Sequence, residues 1–173
     1  MAANPKSSFD KLELIGSGTS FTAKIGDMLE RADIFRDMPR KEIDALANYV
    51  QAYKAPVGAE VLIEGNRESC MFVLAEGKLD ILKRTGEARE KKKLATVRSG
   101  KTIGEMSLLD GLPHSATAVV VETATLLLIT KTSFDRLFTE QPEVALRLVH
   151  KMATLMSLRL RQTSGVLIDY LKD

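Results

Sequence analysis

The chain has 173 residues, 45% apolar and 28% charged, and its net charge of +2 excludes bulk electrostatic attraction to nucleic acid as a driving feature. That length fits one domain with a sizeable core. A single cysteine, Cys70, excludes an internal disulfide and suits a reducing cytosol, where a buried, inert thiol is expected. No apolar run approaches the ~20 residues of a membrane span. Nor does Met1–Ser8 carry the apolar segment of a secretory signal. A cytoplasmic protein with no membrane partner is expected.

Residues 1 to about 24 are rich in Ser, Gly, Thr and Lys and are expected to form a flexible leader, with the domain proper over 25–173. Gly16–Ser20 has the composition of a phosphate loop, but no Gly-Lys-Ser/Thr follows it. From Ile25, the apolar residues Met28, Leu29, Ala32 and Phe35 share a helical face. Pro39 opens a second short helix carrying Ile43, Leu46 and Val50. After Pro56 the period falls to two. Val61–Ile63, Met71–Ala75, Leu79–Ile81, Leu94–Val97, Ala116–Val121 and Leu126–Ile129, punctuated by Gly65 and Gly77, predict the short strands of a sandwich or roll. The basic run Arg89–Lys93 lies between two of them and reads as a solvated hairpin loop. Helical spacing returns at Thr132 with Phe134, Leu137 and Phe138, and Pro142 opens a pattern lasting to the C-terminus. Helix, strands, helix is an α+β layout.

The stretch Gly100–Val119 concentrates groups suited to a small anionic ligand. Gly104 has no Cβ and permits close backbone approach. Amides of a short helical turn starting there offer N–H donors to an anion. Glu105 is an acceptor suited to ribose hydroxyls, Pro113 fixes a turn, and His114 and Ser115 can donate to a phosphate oxygen. The same residues also make an ordinary turn between two strands.

Ile103-Gly104-Glu105-Met106-Ser107 followed by Pro113-His114-Ser115-Ala116-Thr117 resembles the phosphate-binding cassette of the cyclic-nucleotide-binding family, which includes the catabolite activator protein and the regulatory subunit of protein kinase A. Gly58–Gly65 and Met71–Gly77 resemble the family's opening strands, and the likeness runs over roughly residues 28 to 171. It implies a jelly-roll-like cyclic-nucleotide-binding β-roll, flanked by N-terminal helices and a long C-terminal helix. The ligand-binding residues it implies are Ile103, Gly104, Glu105, Met106, Ser107, His114, Ser115 and Ala116. One departure stands out: the family arginine that clamps the cyclic phosphate falls at His114. Arginine makes a bidentate, permanently charged contact; histidine has one donor in that direction and an ordinary pKa near 6.5. Losing one charge-assisted hydrogen bond costs about 1.5–3 kcal/mol, roughly ten- to hundredfold in affinity.

From Pro142 about 31 residues can be helical, roughly 46 Å. Val149, Met152, Met156, Thr163, Val166 and Tyr170 follow 3–4 spacing, interrupted by Arg159, and Leu148, Leu155 and Leu167 form a second row. The face can pack on the chain's own roll, but its length favours the seam of a parallel homodimer, over about 142–172. Arg159–Leu171 is similar to the dimerisation helix of the catabolite-activator group, which implies that Thr163 and Ser164 contact the base. A threonine bonding its own backbone is the plain alternative for Thr163. That group continues into a helix-turn-helix domain; with none here, direct nucleic-acid binding is not expected, and an unknown downstream protein would read the signal.

Three functions fit: a regulatory module binding cyclic AMP or cyclic GMP, with no cofactor; a degenerate, ligand-free scaffold for dimerisation; or a sensor of another anion such as cyclic di-GMP. An enzyme is not expected: His114 and His150 are the only histidines, no His-x-His metal cluster exists, and neither histidine pairs with Cys70 in a recognisable motif.

Overall fold

The computed structural model describes residues 12–18, 20–85 and 90–170. Its strands are β1 (Glu13–Gly16), β2 (Gln51–Ala55), β3 (Glu60–Leu62), β4 (Cys70–Thr85), β5 (Glu90–Arg98), β6 (Thr102–Ile103) and β7 (Thr117–Thr130). Its helices are α1 (Thr22–Glu30), α2 (Arg40–Ala47), α3 (Glu105–Asp110), α4 (Lys131–Glu140) and α5 (Pro142–Tyr170), with a short 3-10 turn at Asp33–Phe35. The strands pair antiparallel in the order β1-β2-β7-β4-β5, with β3 beside β7 and β6 beside β4. This is the expected α+β layout: N-terminal helices, a β-roll, and a long C-terminal helix.

β4 and β7 are the shared wall of two cores. Alternate residues point to opposite faces of a strand. Met71, Val73, Leu127 and Ile129 therefore meet Leu29, Phe35, Ile43 and Leu148 of the helices. Phe72, Leu74, Leu126 and Leu128 fill the roll with Val61, Leu79 and Val120. Burial on both faces explains the unbroken Leu126–Ile129 run, which shows no alternation.

Where the sequence predicts two strands, Met71–Ala75 and Leu79–Ile81, one long strand runs through. Its register breaks on either side of Glu76, and Gly77 takes φ +92° there. A Cβ at 77 would lie 2.5 Å from the Thr123 carbonyl oxygen, so glycine lets β4 bend closely against β7. β7 likewise joins the two runs predicted at 116–121 and 126–129.

Two expectations change. The leader expected over 1–24 includes a strand: β1 pairs with β2 through Glu13↔Lys54 and Leu14↔Tyr53, and α1 already begins at Thr22. The half-buried Ile15 packs on the helix-side core, which ties this segment down. Residues 1–11 and Thr19 lie outside the described residues. The basic run is not a loop either, since Glu90–Lys93 belong to β5, where Lys91 and Lys93 pair with Glu60 and Asp80. Arg89 lies outside the described residues.

Helix α5 divides into two halves. Val144, Ala145, Leu148 and Met152 are buried against the domain, whereas Leu158, Leu160, Val166, Leu167 and Ile168 are exposed. Among the described residues, no helix is long and apolar enough to cross a membrane.

Phe72 is completely buried inside the roll. Phe72→Ala is expected to cost about 3–5 kcal/mol of stability, read as a lower urea midpoint at unchanged slope.

Candidate ligand-binding site

A cavity of about 700 Å³ opens between the roll, α3 and α5. Its wall includes Leu62, Ile81 and Ala118 of the roll, and Leu155, Leu158, Arg159 and Gln162 of α5. The eight cassette residues named from the sequence, Ile103–Ser107 and His114–Ala116, all line it.

Backbone pairing explains how they converge. Phe72↔Ile103 and Val73↔Thr102 hold β6 on β4, which fixes the start of α3. Gly104 precedes α3 with φ +83°, and a Cβ there would lie 2.5 Å from the Cys70 carbonyl oxygen. Glycine at 104 thus permits a close approach to β4. Ser107 Oγ donates within the same corner, at 3.0 Å to the Gly104 carbonyl. At the far end of the cassette, His114 N–H donates to the Asn66 carbonyl and Gly65 N–H to the His114 carbonyl, each at 2.9 Å.

Glu105 is only 2% exposed. One guanidinium nitrogen of Arg159 hydrogen-bonds to Glu105 Oε1, and the other donates to the Thr102 carbonyl at 2.9 Å. Burial pushes the Glu105 carboxyl above its ordinary range, opposed by the Arg159 charge. The neighbouring Thr102 hydroxyl also favours the charged form, yet Thr102 Oγ1 and Glu105 Oε2 are both buried with no partner in hydrogen-bond geometry. Two orphaned oxygens beside a cavity are unusual, because buried polar atoms are nearly always paired. Arg159, which merely interrupts the apolar pattern of the sequence, is the site residue that pattern reasoning missed. Its spacing from Thr163 and its charge amid apolar neighbours were the available signals.

His114 is 6% exposed, and its Nε2 sits 4.0 Å from Cys70 Sγ. Burial lowers its pKa, opposed by a hydrogen bond to the Glu68 carbonyl and by the Glu68 charge. Cys70 is buried as expected, and desolvation pushes its thiol up to about 12. Ser115 is exposed at the cavity rim. Thr163 and Ser164 are exposed on the outer half of α5 and do not line the cavity; Thr163 Oγ1 donates to the Arg159 carbonyl one turn back at 2.9 Å. Among the described residues, no group of three or more metal-ligating side chains gathers.

A sequence model described as the cyclic nucleotide-binding domain matches residues 54–141. A curated protein of Thermus thermophilus, named cyclic AMP receptor protein, is 31% identical over 134 residues, which are 78% of this chain and 60% of that protein. The chain therefore spans about 60% of the length of that relative. Among solved structures, a cyclic nucleotide-binding domain from Methylobacillus flagellatus superposes with a TM-score of 0.81 at 22% identity, over 96% of this chain and 93% of the other. The Thermus thermophilus catabolite activator protein gives 0.69 at 29% identity, over 80% and 62%.

The lowered pKa of His114 fixes the sign of a pH effect. The unfolded chain takes up a proton there first, so the contribution is present above about pH 6.5 and is lost as pH falls. The urea midpoint is expected to drop more steeply between about pH 7 and 5 in the parent protein than in His114→Gln.

Proposed function

The chain belongs to the cyclic nucleotide-binding domain family, and on that premise we propose that it is a regulatory sensor module that binds cyclic AMP or cyclic GMP and signals through α5 to a partner protein. The observation that carries this is the buried Glu105 carboxylate, whose Oε2 has no partner beside an equally unpartnered Thr102 hydroxyl. Hydroxyls of a ribose are donors matched to such an acceptor, and phosphate is not, because a carboxylate repels it. The apolar wall of Leu62, Ile81, Leu155 and Leu158 suits a base. The Thermus thermophilus relative carries cyclic AMP in its name, which favours the same ligand here.

Arg159 makes the cavity and the helix interdependent. It covers Glu105 from α5, so a ligand hydroxyl reaches the carboxylate only when that side chain moves. A ligand that competes for Glu105 has different contacts with the docked and undocked helix, which is the condition for shifting its position. Thr163 and Ser164, one turn further along, become base contacts when α5 shifts or when a second copy presents them. The exposed Leu160, Val166, Leu167 and Ile168 are the face we assign to a homodimer seam.

A second function has its own support. The neutral, buried His114 removes the charge from the cassette position that would meet a phosphate, which favours a ligand-free dimerisation scaffold. Calorimetric titration with cyclic AMP, cyclic GMP and cyclic di-GMP separates the two. Saturable binding of a cyclic mononucleotide is expected, about ten- to hundredfold tighter in His114→Arg and abolished in Glu105→Ala. No heat from any ligand in either the parent or His114→Arg makes the chain a scaffold. Light scattering is expected to give a dimer that Leu167→Glu converts to a monomer; a monomeric parent removes the seam.

A further inference from the structure

We propose that Lys83 supplies the positive charge for the ligand's phosphate that position 114 lacks, so that the anion is held from strand β4 instead of from within the cassette. This rests on the cavity taking a cyclic nucleotide, and three features of the structure lead to it.

The first is placement. Lys83 Nζ donates to the Ser115 carbonyl at 2.5 Å. Its ammonium thus lies against the residue following His114, in the segment where the family arginine would stand and which lines the cavity. The second is direction. β4 pairs with β7 without a break from Leu79 to Leu82, so Lys83 falls on the same strand face as Leu79 and Ile81. Leu79 is buried inside the roll and Ile81 lines the cavity. Two residues further along, the same face places a cation beside the cavity-lining Ser115.

The third is availability. The cations that line the cavity are engaged: Arg159 by Glu105 and the Thr102 carbonyl, and Lys101 by Asp33 at 2.6 Å. Lys83 donates to the neutral Ser115 carbonyl and makes a longer ion pair, 3.5 Å, with Glu64. An ammonium has three donors, so it can keep Ser115 and still meet a phosphate oxygen. The side chain is 42% exposed, which leaves the ammonium free to turn toward a bound anion. His114 is buried in the cavity wall and has neither the charge nor the freedom to do this.

The test is calorimetric titration with cyclic AMP of the parent, Lys83→Gln, His114→Arg and the double variant, with thermal melting as the folding control. Lys83→Gln is expected to weaken binding about ten- to hundredfold, the loss of one charge-assisted hydrogen bond, at an unchanged melting temperature. His114→Arg is expected to restore binding in the Lys83→Gln background, because it returns a cation to the same place. Undiminished binding by Lys83→Gln overturns the proposal and leaves the cyclic-nucleotide function intact. A loss that His114→Arg fails to restore also overturns it, since the lysine would then be acting on the shape of the site. Absence of cyclic AMP binding to both the parent and His114→Arg removes the nucleotide function and this proposal together.

Discussion

A carboxylate almost completely sealed from water has to be compensated, and the Glu105–Arg159 pair is where this protein meets that demand. An uncompensated buried charge costs several kcal/mol, so α3 cannot hold Glu105 in place unless α5 brings Arg159 over it. Arg159 also caps the Thr102 carbonyl, which belongs to the strand that positions α3. Cassette, edge strand and C-terminal helix therefore share one guanidinium. Compensation is incomplete, because Glu105 Oε2 and Thr102 Oγ1 stay without partners. The site holds unused hydrogen-bonding capacity, and burial raises the Glu105 pKa in keeping with that.

The two cores back this arrangement on one side and leave it exposed on the other. The roll interior and the helix-side core meet across β4 and β7, so the cavity's inner wall is backed by the most buried residues of the molecule. Helix α5 is anchored by Leu148 and Met152, and by Lys151 Nζ donating to the Arg36 carbonyl at 2.6 Å. Beyond Arg159 the described residues of the helix have no comparable burial. Arg159 thus sits at the boundary between the docked and exposed halves of α5, where a change in one ion pair has the greatest leverage over the exposed half.

Much of this was legible in the sequence. Composition and strand–glycine spacing give the α+β roll, and the cassette motif brings Ile103–Ser107 and His114–Ala116 to one cavity. Other parts were hidden for identifiable reasons. β2 buries only the small Ala52 and Ala55, too weak an apolar signal to announce a strand. β4 looked like two strands because Gly77 reads as a terminator, whereas here it permits a bend within one strand. The close packing of Gly104 on β4 is hidden because sequence cannot say which backbone comes close. The inward placement of His114 depends on the pocket formed by Cys70 and the Glu68 carbonyl, both far upstream in the chain. Lys83 reads as one more polar residue of an alternating strand, since its contact with Ser115 joins residues far apart in the chain.

On the proposed Lys83 contact, the character of recognition also changes. An arginine within the cassette fixes both the distance and the plane of a phosphate, because its fork is rigid and bidentate. An ammonium on a flexible stem fixes a distance alone. Discrimination among cyclic nucleotides then depends less on the phosphate and more on the groups that stay geometrically strict. On the proposed function those are Glu105 and Thr102 toward the sugar, and the apolar wall and α5 toward the base. Glu105 is bonded to Arg159 of α5, so in the proposed mode the strict part of recognition bears directly on the helix that would carry the signal.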